Sequence, residues 1–161
     1  MRRKLIVLAL GLVAVVAMSA TALAVIPGEN PFPAPKVAGV FVSGQTVTGP
    51  SSPLGEGVLN SYYPRGGTVV FRAFAGSTKT GQIFTDKDVK YFYVQVPGQP
   101  ALKLAYEAAS KQWPWTATWT VPADFPLGTV QFKILLKSVA KEYGSFVQMP
   151  IVSAQLTVTK A

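Results

Sequence analysis

Apolar residues recur at every second position in short runs along most of this chain, and that period commits it to half-buried strands. "TVQFKILLK" sets Val130, Phe132, Ile134 and Leu136 on one face, with Gln131, Lys133 and Lys137 opposite. "SAQLTVTK" alternates Ala154, Leu156 and Val158 against Gln155, Thr157 and Thr159, and "ALKLAYEA" sets Leu102, Leu104 and Tyr106 against Lys103 and Glu107. "TVVFRAFA" follows the turn residues Pro64-Arg65-Gly66-Gly67, and "DVKYFYVQV" ends at Pro97-Gly98. "KVAGVFV" and "GEGVLNSYY" alternate more weakly. With the tryptophan-bearing run after Lys111, this predicts seven or eight short strands. The 13 prolines and 14 glycines fall mainly between them. Regular strands separated by turn residues predict an all-β fold, an antiparallel sandwich of immunoglobulin type, with a closed barrel as the alternative.

The period changes only at the N-terminus. Arg2, Arg3 and Lys4 precede an apolar run from Leu5 to Ala17, and small residues then lead to Ala22-Leu23-Ala24. This is the layout of a secretory signal peptide over residues 1–24, with cleavage after Ala24. Left uncleaved, Leu5 to Ile26 is long enough to anchor the chain in a bilayer, and only then is a membrane a partner. Residues 25–36, "VIPGENPFPAPK", carry four prolines in twelve positions and predict an extended arm. Residues 37–161 form the folded domain. Removing 24 of the 161 residues leaves 137, enough for one domain to bury a core without staples. The chain has no cysteine, so no disulfide framework arises. The expected location is secreted, extracellular or periplasmic.

The net charge of +8 falls to +5 once the three cations of the signal segment are subtracted. The remaining basic residues are spread singly, without the stripe or cluster that nucleic-acid binding asks for, so no nucleic-acid partner is expected.

Three indoles, Trp113, Trp115 and Trp119, lie within seven positions in "WPWTATWTV" and share parity with Ala117 and Val121. Side chains alternate along a strand, so phase alone does not divide the indoles between core and solvent. Trp119, in mid-strand, is expected in the core and Trp115 in the core or half-buried. Trp113 precedes Pro114 and is expected at the rim, where the proline interrupts pairing.

The segment "WTVPADFPLGTVQFKILL" joins a Trp-bearing strand to a V-P-x-x-x-P-x-G turn and a second alternating strand. It resembles a late hairpin of bacterial extracellular immunoglobulin-like domains, and "RGGTVVFRAFAGSTKTGQIFTDKDVKYFYVQV" resembles the central strands of the same group. The resemblance extends over most of Gly57 to Lys160. It implies the sandwich fold and leaves the role open, because this scaffold hosts many functions. Two features depart from the group: no cysteine pair bridges the sheets, and Val130 stands where a tyrosine is common.

The residue inventory restricts the chemistry further. With neither His nor Cys, the chain cannot build Ser-His, Cys-His or zinc constellations from its own residues. Small copper-binding sandwiches rest on His and Met ligands, and two of the three methionines here, Met1 and Met18, lie in the signal segment. Ser43, Ser61 and Ser110 lack a Ser-x-x-Lys spacing. Among the seven carboxylates the close pair is Asp86 and Asp88, read as solvated loop residues beside Lys87 and Lys90, with calcium as a weak candidate ligand. No metal or other cofactor and no catalytic residue is expected, and the chain is read as a non-enzyme.

The aromatics remain. If Phe92, Val94 and Val96 face the core, then Val89, Tyr91 and Tyr93 face outward, beside Lys133 and Leu135 of a neighbouring strand. Tyrosines packed over lysine stems can simply cover a sheet, and they also suit a partner surface. The expectation is therefore a non-enzymatic exported module for protein contact, by self-association or by docking to a cell-envelope complex, through Tyr91, Tyr93, Lys133 and Leu135. The alternative is a carbohydrate or small-ligand module using Trp113, Tyr62 and Tyr63.

Overall fold

The computed structural model describes residues 39–110, 112–147 and 156–161. All of them fall in the unit Val37–Ala161, whereas the predicted signal peptide and proline-rich arm lie outside the described residues. The described chain is all-β, without a helix.

Its strands are β1 (Val40–Thr48), β2 (Tyr62–Pro64), β3 (Thr68–Ser77), β4 (Val89–Gln95), β5 (Leu102–Lys103), β6 (Ala105–Tyr106), β7 (Trp115–Thr120), β8 (Gly128–Val130), β9 (Lys133–Ser138), β10 (Tyr143–Val147) and β11 (Leu156–Thr159). Two four-stranded sheets have the orders β1-β3-β7-β6 and β10-β9-β4-β5, and a small sheet has the order β2-β11-β8. All pairings are antiparallel except β2 with β11, where Tyr62, Tyr63 and Pro64 run parallel to Thr157, Val158 and Thr159.

Both large sheets turn one face into a shared core. From the first come Val69, Phe71, Ala73 and Ala75 of β3, with Trp115, Ala117 and Trp119 of β7; from the second come Phe92 and Val94 of β4, with Ile134 and Leu136 of β9. Phe71 meets Phe132 with ring centroids 5.0 Å apart, and Phe92 meets Trp115 at 5.2 Å, both edge to face. Such pairs add stabilisation of about 0.5–1.5 kcal/mol beyond area burial.

The eleven strands of the described chain exceed the expected seven or eight because two predicted strands are broken and β10 is added. In "ALKLAYEA", β5 pairs with β4 while β6 pairs with β7, so the chain changes sheets at Leu104. Leu104 stays buried at this crossover, and its N–H donates to the Phe92 carbonyl at 2.9 Å. "TVQFKILLK" divides into β8 and β9 at Gln131-Phe132, yet Val130, Phe132, Ile134 and Leu136 all remain inward. Of "GEGVLNSYY", only Tyr62 and Tyr63 enter a strand, and Leu59 forms an isolated bridge with Val47.

One strand was not legible in the alternation at all. On β10 an inward position is held by Gly144, where a Cβ would lie 2.8 Å from Val40 Cγ1 and from Val42 Cγ2. The close approach of β1 removes the apolar residue that would have marked the strand. Gly44 of β1 reflects the same crowding, since a Cβ there would overlap Ile134 Cδ1.

The turns follow local chemistry. The Gln99 N–H donates to the Val96 carbonyl at 3.1 Å across Pro97-Gly98, with Gly98 at φ 73°, an arrangement that suits Pro followed by Gly. In the V-P-x-x-x-P-x-G segment, Phe125 N–H donates to Pro122 O and the Phe125 ring packs 5.1 Å from Trp119. This turn is therefore fastened to the core.

Valine side chains are stiff about χ1, so Val40 and Val42 have little room to yield. Gly144→Val should lower unfolding stability by about 1–3 kcal/mol through overpacking. Urea denaturation measures this, and an unchanged midpoint would refute the packing described for β1 and β10.

Candidate functional site

The outward residues of β10-β9-β4-β5 form rows fixed by the strand register. Tyr143 of β10 lies opposite Lys137 of β9, which lies opposite Tyr91 of β4. In the next row Ser145, Leu135, Tyr93 and Lys103 succeed one another from β10 to β5. The third row is Val147, Lys133 and Gln95. Of the residues singled out from sequence, Tyr93 and Leu135 are direct cross-strand partners, while Tyr91 faces Lys137 and Lys133 faces Gln95.

This face is open. Tyr143 is 61% exposed, Val147 50%, Tyr91 46% and Leu135 40%, while Tyr93 is half-buried. The Tyr91 and Tyr93 rings lie 6.2 Å apart at 30°, so the two tyrosines lean together along β4. A register shift between Val89 and Tyr91 bends the strand at this point, and Lys90 Nζ comes to 5.6 Å from the Tyr91 ring centroid. Lys137 Nζ sits 4.9 Å from the Tyr143 centroid. Its hydrogen bond with the Tyr143 side chain holds its pKa above the usual lysine value. The face thus combines fixed aromatic area with ammonium groups. Tyr143, Val147, Lys137 and Lys103 belong to it but were missed in the sequence, because β10 went unread and pairing decides which lysines meet the tyrosines.

The indoles separate as follows. Trp119 and Trp115 are buried, and Trp115 Nε1 donates to the Phe84 carbonyl at 3.3 Å. Trp113 lies outside β7 and is half-buried, packed edge to face 5.0 Å from Phe74, which itself lies 5.9 Å from Phe41. Phe74 alternates with the inward Ala73 and Ala75, so Trp113 rests against the outer face of its sheet despite sharing parity with Trp115. Pro114 breaks the phase between them.

The other members of the alternative ligand set go elsewhere. Tyr62 is exposed on β2, whereas Tyr63 is only 2% exposed and donates its hydroxyl to the Asn60 carbonyl at 3.1 Å. A buried ring cannot serve as a stacking platform, which corrects that assignment for Tyr63. Thr46 Oγ1 donates to the same carbonyl at 2.9 Å. A cleft of about 330 Å³ lies elsewhere, between β4 and the crossover, and its lining includes Asp86, Lys90, Phe92, Lys103, Tyr106 and Trp115.

Asp86 is exposed, while Asp88 Oδ2 accepts from both the N–H and the hydroxyl of Thr85 at 2.9 Å. That carboxylate closes a local turn, and no group of three or more potential metal-ligating His, Cys, Asp or Glu residues occurs among the described residues. Glu107 accepts from Thr116 Oγ1 at 2.8 Å, and Glu142 pairs with Lys79 at 3.1 Å. A Ser-x-x-Lys spacing does exist at Ser138 and Lys141, unnoticed in the sequence. There Ser138 Oγ accepts the Glu142 N–H at 3.0 Å and Lys141 takes φ 66°, a tight β9–β10 turn.

No protein-family model matches the chain, and no curated protein matches it. Among the described residues no helix is long and apolar enough to cross a membrane.

Burial raises the Tyr63 pKa from 10.0 to about 12, partly offset by its hydrogen bond with Thr46. The unfolded chain ionises this phenol near pH 10 while the folded chain keeps its proton. The stability contributed by Tyr63 is therefore complete below pH 10 and is lost as pH rises to about 12, by up to about 3 kcal/mol. Urea midpoints should fall more steeply across pH 10–12 in the native chain than in Tyr63→Phe; parallel curves would contradict the assignment.

Proposed function

We propose that this chain is an exported, non-enzymatic immunoglobulin-like domain whose work is protein contact through the outer face of β10-β9-β4-β5. The strand orders support the fold reading. β1-β3-β7-β6 corresponds to the A-B-E-D order of immunoglobulin sandwiches, and β10-β9-β4-β5 to their G-F-C order with one added strand. The export reading rests on the N-terminal sequence alone.

One observation carries the contact reading. Tyr91, Leu135, Tyr143 and Val147 are exposed together on one open sheet face, with Tyr93 packed among them. Exposed apolar residues scattered singly need no explanation, but here Leu135, Tyr93 and Tyr91 adjoin one another, with Tyr143 and Val147 set beyond Lys137 and Lys133 on the same face, and such grouping favours an interaction site. Tyrosine adds to this because it offers large area with few torsions to freeze and a hydroxyl that tolerates water.

The test is the double variant Tyr91→Ser/Tyr93→Ser, compared with the native chain by sedimentation mass and by retention of partners from the native envelope fraction. Tyr91 is exposed and Tyr93 half-buried, so the fold should survive while assembly or retention drops by tenfold or more. Unchanged mass and unchanged retention would overturn the reading. Titration with glycans, followed by tryptophan fluorescence, tests the carbohydrate alternative at Trp113; under the contact reading no glycan quenches.

A further inference from the structure

From the charges on this face we infer the chemistry of its partner: an acidic protein surface, and not a second copy of this chain set face to face. The inference rests on the contact reading above and adds to it the sign and the kind of partner.

The cations of the face are Lys103, Lys133 and Lys137 in the strand rows, with Lys90 drawn over Tyr91. Lys133 and Lys137 flank Leu135 along β9, and Lys103 stands opposite Tyr93. The outward positions of the rows are otherwise Tyr143, Ser145, Val147, Leu135, Tyr91, Tyr93 and Gln95, so no carboxylate shares them. The Lys79–Glu142 pair is the only ion pair among the described residues, so none of these four lysines is paired with a described carboxylate; Asp86, which lines one cleft with Lys90 and Lys103, is the nearest acidic group the face meets and leaves Lys133 and Lys137 unopposed. Lys137 is charged at neutral pH as any lysine is, and its hydrogen bond to Tyr143 shifts its pKa further upward.

Two copies meeting face to face would gather eight lysines in one interface with no carboxylate from the strand rows to oppose them. Two ammonium groups about 8 Å apart repel by about 0.5 kcal/mol even in water, and by more once the interface is desolvated. With four such groups on each copy, the charge opposes the burial that the tyrosines favour. Carboxylates on a partner reverse the sign of every one of these terms and speed encounter.

The apolar centre then separates protein from other polyanions. A linear polyanion needs only the charges, which the spread of lysines would serve as well without Leu135, Val147 and the paired tyrosines. Aromatic and aliphatic residues interleaved with lysines offer both area to bury and charges to pair, which suits the mixed surface of a protein.

Residues 25–161 would be titrated with a random glutamate–tyrosine copolymer as the probe. Poly-L-glutamate, polyphosphate and phosphatidylglycerol vesicles serve as comparisons, and the mass of the chain alone is followed by sedimentation velocity. We expect a monomer and saturable binding of the copolymer that weakens at least tenfold between 50 and 300 mM salt, a range wide enough to screen exposed charges. Binding should also fall at least tenfold in Lys133→Gln/Lys137→Gln and, independently, in Tyr91→Ser/Leu135→Ser, with poly-L-glutamate weaker than the copolymer. Polyphosphate or vesicles binding as tightly as the copolymer would overturn the protein assignment. A native dimer that Tyr91→Ser/Leu135→Ser dissociates would overturn the acidic-partner inference while leaving the contact reading intact. Copolymer binding that ignores both double variants would overturn the inference as well. A monomer that binds no probe, together with unchanged envelope retention for Tyr91→Ser/Tyr93→Ser, would overturn both.

Discussion

The inward stripe of β7 is the contact on which the rest of this domain depends. Trp115, Ala117 and Trp119 lie between the two large sheets, and their indoles touch residues from every side of the core. Trp115 meets Phe92 of the opposite sheet at 5.2 Å and Tyr106 of the edge strand at 5.0 Å. Trp119 meets Phe71 of its own sheet at 6.5 Å and Phe125 of the following turn at 5.1 Å. Removing an indole from such a position costs about 3–5 kcal/mol, a large share of the 5–15 kcal/mol by which a domain is stable. Without disulfides, the cohesion between sheets rests on this aromatic packing and on the small residues that let it close.

Those small residues lie on the partner surfaces. Ala73 and Ala75 of β3 lie beside Gly44 of β1, where Ile134 from the other sheet enters. Gly144 admits Val40 and Val42 of β1 against β10. Large side chains on one element are thus matched by missing ones on another, as close packing requires. The far end of β1 is secured by polar contacts instead. The hydroxyl of buried Thr48 donates to the Gly55 carbonyl and accepts from the Val58 N–H, while the Thr46 and Tyr63 hydroxyls share the Asn60 carbonyl. Beside them, backbone bonds from Thr48 N–H to the Val58 carbonyl and from Gly57 N–H to the Thr48 carbonyl, both 2.9 Å, pair part of the strand edge that would otherwise offer unpaired backbone groups.

A rigid core gives the outer face its regularity. Inward Phe92, Val94, Ile134 and Leu136 hold β4 and β9 in register, and every inward residue fixes an outward neighbour by alternation. Tyr91, Tyr93, Lys133, Leu135 and Lys137 are thereby held at strand spacings, not scattered by loop motion. Such a surface is preorganised, which lowers the ordering cost of association.

The sequence by itself determined what depends on nearest neighbours along the chain. Period-two alternation marked the inward residues from Val130 to Leu136 and the outward tyrosines of β4, and the Pro and Gly positions marked the turns. Pro114 marked where regular pairing ends and set Trp113 apart at the rim, while its place on the outer face of the sheet came from its packing on Phe74. The absence of His and Cys restricted the available chemistry without any coordinates. Tertiary structure decided what depends on elements distant in sequence. It divided "ALKLAYEA" between two sheets, buried Tyr63 under Thr46 and Asn60, and added β10, whose inward glycine exists because β1 lies against it. It also decided the cross-strand partners, placing Tyr91 beside Lys137 and Tyr143, and Lys133 beside Gln95 and Val147. The physical reason is that alternation states only which side of a strand a residue occupies. Which neighbours share that side is fixed by register, and register is settled by the packing of the whole core.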